Sequence, residues 1–200
     1  MPPAKLIGLI SDFTAASVMA AILWLYIDAL LFRFEIKSFI KTVGFLLLTA
    51  AFALSLSERF LNVNHSFVIW TESIGLWALF VGFIFDSHSK LQLLTLFLIA
   101  ATLFLKNHLL LSVEAFLITL VVLQLSYFYK HKDLIPLITA FFLISLAEFL
   151  KYLNSFKGFE NMALAGSFSY IFAAIILFYW LWSYLTIRFN LKQSKANRSF

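Results

Sequence analysis

The sequence predicts an all-α, polytopic membrane protein with seven transmembrane helices. Three observations predict it. Of the 200 residues, 62% are hydrophobic and only 12% charged, whereas about a quarter of a soluble domain is charged. Polar breaks divide the chain into seven apolar stretches, 6–32, 38–58, 67–85, 91–105, 108–129, 134–153 and 162–187. Most of them reach the ~20 residues that carry a helix across ~30 Å of hydrocarbon.

The first stretch exceeds the ~7–15-residue core of a signal peptide and therefore reads as a retained helix. The second and third are separated by the polar break around Arg59 to Ser66. The fourth, "LQLLTLFLIAATLFL", has fifteen residues between Lys90 and Lys106. It either spans a thinned region or is re-entrant. The fifth, sixth and seventh stretches are long enough to span. No segment is rich enough in Pro, Gly or Ser to be a flexible linker, so residues 1–187 form one domain. The tail "RFNLKQSKANRSF", 188–200, carries four basic residues and no acids, which suits anionic headgroups on the cytoplasmic side. The net charge of +5 sits largely at helix ends and in this tail, a topology signal rather than a nucleic-acid one. With no cysteine, disulfides, thiolate metal sites and thiol nucleophiles are excluded.

Counting Lys and Arg sets the orientation. Seven crossings with the C-terminus inside place ten basic residues inside and five outside. If the fourth stretch fails to cross, the count becomes seven against eight. The positive-inside rule therefore favours seven crossings in a plasma (inner) membrane, N-terminus outside and C-terminus cytoplasmic.

A repeat runs through this plan. "TAAFALSLSE" at 49–58 and "TAFFLISLAE" at 139–148 agree at six of ten positions, among them Thr49/Thr139, Ser55/Ser145 and Glu58/Glu148. "SVMA" at 17–20 matches "SVEA" at 112–115 more weakly. The halves 6–85 and 108–187 would then be parallel repeats around the connector 91–105, related by an axis along the membrane normal. Resemblance among apolar helices through Leu and Phe alone is the competing explanation.

This 3+1+3 plan resembles the SWEET sugar carriers and the PQ-loop transporters, and the N-out seven-helix outline resembles microbial rhodopsins. The resemblance covers helix count and repeat order. The sequence has no Pro-Gln pair, and residues 162–187 contain no lysine to which retinal could attach. Seven-helix intramembrane hydrolases of the alkaline ceramidase and progestin-receptor type need histidines within their helices. Here His65, His88, His108 and His131 fall in or beside loops. No cofactor, metal set or catalytic group is expected.

Acids inside the apolar stretches mark the candidate site. Asp12, Glu72, Glu114 and Glu148 fall about six residues from the outer ends of their helices, roughly 8–9 Å deep at 1.5 Å per residue. Glu58 lies nearer the interface. A carboxylate at mid-membrane costs at least ~2.5–3.5 kcal/mol, so such groups face the bundle interior or water, pair with a cation, or take up a proton. If they converge, they form an outward-facing acidic cavity able to bind a proton, a cation or an amine-bearing solute. The alternative is private satisfaction: Glu148 with Lys151, Glu58 with Arg59, and Asp12 or Glu72 with headgroups, Ser11, Thr71 or Ser73. Ser55 and Ser145 bond across helices or to their own backbone. Gly75, Gly82 and the Gly166–Ser167 pair mark close helix packing.

These features give a receptor or sensor that binds a small molecule, proton or cation in the outer cavity and signals to a separate cytoplasmic effector. A proton-coupled or small-solute transporter of the 3+1+3 type is the alternative. A membrane-embedded enzyme ranks third, because no nucleophile–base pair is evident.

Overall fold

The computed structural model describes residues 3–61, 64–85, 107–130, 132–156 and 161–196. These residues form six α-helices: α1 (Pro3–Phe32), α2 (Ile36–Leu61), α3 (His65–Ile84), α4 (His108–Tyr129), α5 (Ile135–Leu153) and α6 (Met162–Ala196). One 3-10 turn, Lys132–Leu134, precedes α5. All six are long and apolar enough to cross a membrane, which makes the chain a multi-pass membrane protein. The fourth apolar stretch, 91–105, lies outside the described residues.

The helix ends follow local chemistry. Asn64 accepts from the Ser66 amide, and Asn107 from the Leu110 amide at 3.1 Å, so each satisfies a backbone donor that the first turn leaves open. Lys130 ends α4 in the left-handed region at φ 54°, and Pro136 sits in the first turn of α5, where its missing N–H costs nothing. Between α5 and α6, the Asn154 side chain accepts from the Ala163 amide. The last helix continues to Ala196, beyond the boundary at 187 that the apolar pattern suggests. Residues 188–196 hold no Pro or Gly, so nothing in that stretch breaks the backbone ladder.

Each helix packs on the next, α3 packs on α4, and α6 packs on α1, closing a ring. Met19, Leu48, Leu76, Ile118, Ile144 and Leu177, one from each helix, are buried in a common core. The surface reverses the pattern of a soluble protein. Trp24, Phe13 and Phe172 are exposed to 75%, 61% and 58%, while Asp12, Glu72, Glu114 and Glu148 are all buried. In lipid that arrangement is the favourable one, since hydrocarbon accepts phenylalanine and excludes carboxylates.

Glycines let α3 approach α2. A Cβ on Gly44 would lie 2.9 Å from the Leu79 backbone nitrogen, and one on Gly75 would lie 3.1 Å from that of Leu48. Gly166 plays the same part for α6, where a Cβ would meet the Ala147 carbonyl oxygen at 2.8 Å. Gly75, Gly82 and Gly166 thus sit at close helix contacts.

Candidate functional site

At one end of the ring, the N-termini of α1, α3, α4 and α6 meet the C-termini of α2 and α5 around a cavity of about 450 Å³. Every described helix contributes to it. Asp12 comes from α1, Ser55 and Glu58 from α2, His65 from α3, His108 from α4, Lys151 from α5 with Asn154 just beyond its end, and Ser167 from α6. The Ser55 hydroxyl donates to Asp12 Oδ2 at 2.9 Å, fixing that carboxylate in the wall. His65 Nδ1 lies 3.2 Å from Glu58 Oε1. The rings of His65 and His108 are 5.5 Å apart between centroids.

Glu148, on α5, is fully buried behind the lining residues His108 and Lys151. Its Oε2 lies 2.6 Å from His108 Nδ1, and its Oε1 accepts from Lys151 Nζ at 2.7 Å and from the Tyr170 hydroxyl at 2.6 Å. Three partners from three helices therefore satisfy one carboxylate, which is how a buried charge becomes tolerable. Lys151 Nζ also lies 4.4 Å from the Tyr170 ring centroid, a cation–π distance. Tyr170 reaches across the ring, where its oxygen lies 3.0 Å from Glu72 Oε1.

Glu114, on α4, joins through Ser73, the residue after Glu72 on α3. Its Oε1 accepts from Ser73 Oγ at 2.9 Å, while its Oε2 is buried with no hydrogen-bond partner among the described residues. Ser145 Oγ donates to the Ser112 carbonyl at 2.8 Å and binds α5 to α4 beside it.

The sequence-predicted acids divide into three groups. Asp12 and Glu58 line the cavity. Glu72 and Glu148 share Tyr170. Glu114 sits on the neighbouring Ser73. The pairing of Glu148 with Lys151 is present, and further partners come from other helices. Glu58 pairs with His65, the Arg59 side chain lies outside the described residues, and Asp12 accepts from Ser55. Thr71 bonds the Phe67 carbonyl of its own helix. The cavity is also less purely acidic than the carboxylates alone imply, because His65, His108 and Lys151 line it too.

His65, His108 and Tyr170 are the functional candidates that sequence reasoning passed over. The histidines read as loop residues, but Asn64 and Asn107 make each the first residue of a helix. Those two Asn-His pairs, at 64–65 and 107–108, are the signal that marks them. Tyr170 shares its apolar run with Tyr179 and Tyr184 and carries no such mark.

No protein-family model, curated protein or solved structure matches this chain.

Proposed function

We propose that the protein is a membrane receptor or sensor whose cavity binds a small cationic, amine-bearing solute. The observation that carries this reading is the lining: all six described helices contribute to one cavity of about 450 Å³, so an occupant is felt by the whole ring. Asp12 and Glu58 offer carboxylates, Ser55, Ser167 and Asn154 offer neutral polar groups, and the lysine in the wall is engaged by Glu148. Such an arrangement favours an amine over an anion.

The route for a signal is α6. Its first turns border the cavity at Ala163, Leu164 and Ser167, Tyr170 follows one turn later, and the helix has 35 residues, about 50 Å at 1.5 Å per residue. An occupant that shifts the cavity end displaces a rigid element reaching the far side, where a separate effector would read it.

Seven crossings, with the cavity outside and the tail in the cytoplasm, are part of this proposal. His65 and His108 adjoin each other at the N-termini of α3 and α4, which pack together, so these two helices run parallel. That parallel arrangement supports a seventh crossing, and the distribution of Lys and Arg supports the orientation. Because the chain lacks cysteine, single cysteines at His65 and Lys132 allow a clean test. Membrane-impermeant reagent should label the first from outside and the second only after permeabilisation.

Binding is tested by thermal unfolding of the purified protein with a panel of small amines. Saturable stabilisation that Asp12→Asn and Glu58→Gln abolish supports the proposal. If no amine stabilises the protein, or both substitutions leave binding intact, the reading fails.

A carrier is the second reading, favoured by the packing order. Exchanging α1–α3 for α4–α6 maps every neighbour relation of the ring onto another, as parallel repeats require. At greater depth the interior holds the stacked Tyr26–Phe45 pair and the edge-on Phe83–Phe141 pair. Solute flux into proteoliposomes, lost in Glu114→Gln/Glu148→Gln, would favour the carrier over the receptor.

A further inference from the structure

A single phenolic hydroxyl stands between two buried carboxyl groups, and the protons do not balance unless one more is present. The Tyr170 oxygen is 2.6 Å from Glu148 Oε1 and 3.0 Å from Glu72 Oε1. It owns one hydrogen and can donate to only one of them. The other contact is attractive only if that carboxyl brings its own hydrogen and donates it to the phenol oxygen.

The surroundings decide which group does so. Glu148 already accepts from Lys151 and faces His108 Nδ1 at 2.6 Å. Glu72 is buried, and Tyr170 is its one hydrogen-bond partner among the described residues. Lys151, His108 and the Glu148 carboxylate also face Glu72, but Lys151 is bonded to Glu148, so an ionised Glu72 would be a buried carboxylate without a hydrogen-bond donor, whereas a neutral one is satisfied by donating. A second, independent mark lies on the adjoining side chain: Glu114 Oε2 is buried and unpartnered. The neighbourhood of Ser73 and Glu72 therefore holds carboxyl groups without the donors that charged forms require.

We propose that Glu72, Tyr170 and Glu148 form an exchangeable proton-binding site in which Glu72 is the neutral acid, Glu148 the carboxylate and His108 the port to the cavity. The chain reads Glu72 O–H to Tyr170 oxygen, and Tyr170 O–H to Glu148 Oε1. When the Glu72 O–H bond breaks, its proton joins the Tyr170 oxygen while the hydrogen of Tyr170 passes to Glu148. No tyrosinate forms, and the net change is one proton moved from Glu72 to Glu148. His108 presents its Nδ1 hydrogen to Glu148 Oε2 and borders the cavity, so it can take a proton from water at Nε2 while its Nδ1 hydrogen passes to Oε2, and the reverse step returns a proton to water. A half-turn of the neutral Glu148 carboxyl interchanges its two oxygens and links this exchange to the Tyr170 relay. The site stands whether or not the cavity takes an amine, so failure of either proposal leaves the other open.

Infrared spectroscopy of the full chain in lipid at neutral pH reads neutral carboxyl groups directly through their C=O stretch. Glu72→Gln, which keeps the shape and a donor, should remove one component of that band. Glu148→Gln should retain it, and Glu114→Gln identifies any component from Glu114. Tyr170→Phe should shift the Glu72 component without abolishing it. After transfer to heavy water, His108→Phe should slow hydrogen–deuterium exchange of that component. An unchanged band in Glu72→Gln, or an unshifted one in Tyr170→Phe, overturns the assignment of the acid. Unaltered exchange in His108→Phe overturns the port.

Discussion

Lys151 Nζ sits 2.7 Å from Glu148 Oε1, three residues back on the same helix, and the carboxylate it meets has no exposed surface. Removing one member of a buried pair strands the other, which costs about 3 kcal/mol, whereas replacing both with apolar residues of similar size costs much less. Lys151→Met should therefore lower the unfolding temperature more than Lys151→Met/Glu148→Met does. A double-mutant cycle by thermal unfolding in detergent checks this, and additive losses would mean that Tyr170 and His108 alone satisfy Glu148.

Tyr170→Phe isolates the hydroxyl. The ring stays packed edge-on against Phe52 at 5.5 Å between centroids, so shape is retained while Glu72 and Glu148 both lose a partner. The expected loss is about 1–3 kcal/mol, the cost of leaving buried polar groups unmade. In a Glu72→Gln background the loss should change, because the two side chains share one contact. Equal losses in both backgrounds would show that Glu72 does not bond Tyr170.

What could be read from the chain, and what could not, follows from the geometry of a helix. Apolar runs bounded by polar residues mark where a helix begins and ends, so α1 to α6 were legible. Rotation about the helix axis was not. Whether Glu148 meets Lys151 alone or also Tyr170 and His108 depends on which faces three helices turn inward, and long apolar sequences with no polar stripe leave that undetermined. The same gap hid His65 and His108, whose meeting requires α3 and α4 to be neighbours. It also hid the pairing of Glu58 with His65, which lies across the turn into α3.

Helix approach gives a graded prediction. Gly44→Ala and Gly166→Ala place a methyl group against fixed backbone, at 2.9 Å from Leu79 N and 2.8 Å from Ala147 O. Gly82→Ala meets a side-chain atom first, Lys41 Cγ at 2.6 Å, and the nearest backbone atom, Lys41 N, only at 3.2 Å. The first two should each cost about 1–3 kcal/mol, and Gly82→Ala less. Thermal unfolding of the three variants orders them, and a larger loss at Gly82 would mean that Lys41 is held as rigidly as backbone.

The repeated serines should separate binding from stability. Ser55 and Ser145 occupy matching positions in "TAAFALSLSE" and "TAFFLISLAE", yet one donates to the Asp12 carboxylate in the cavity wall and the other to the Ser112 carbonyl between two helices. Ser145→Ala leaves a buried carbonyl without that donor and should cost about 1 kcal/mol, with amine affinity unchanged. Ser55→Ala removes one donor from Asp12 in a cavity that water reaches, so stability should hold while amine affinity falls severalfold. Calorimetric binding and thermal unfolding, run on both variants, check the pair. If both serines affect stability alike and neither affects binding, they are equivalent packing residues and Asp12 has no directed role in the cavity.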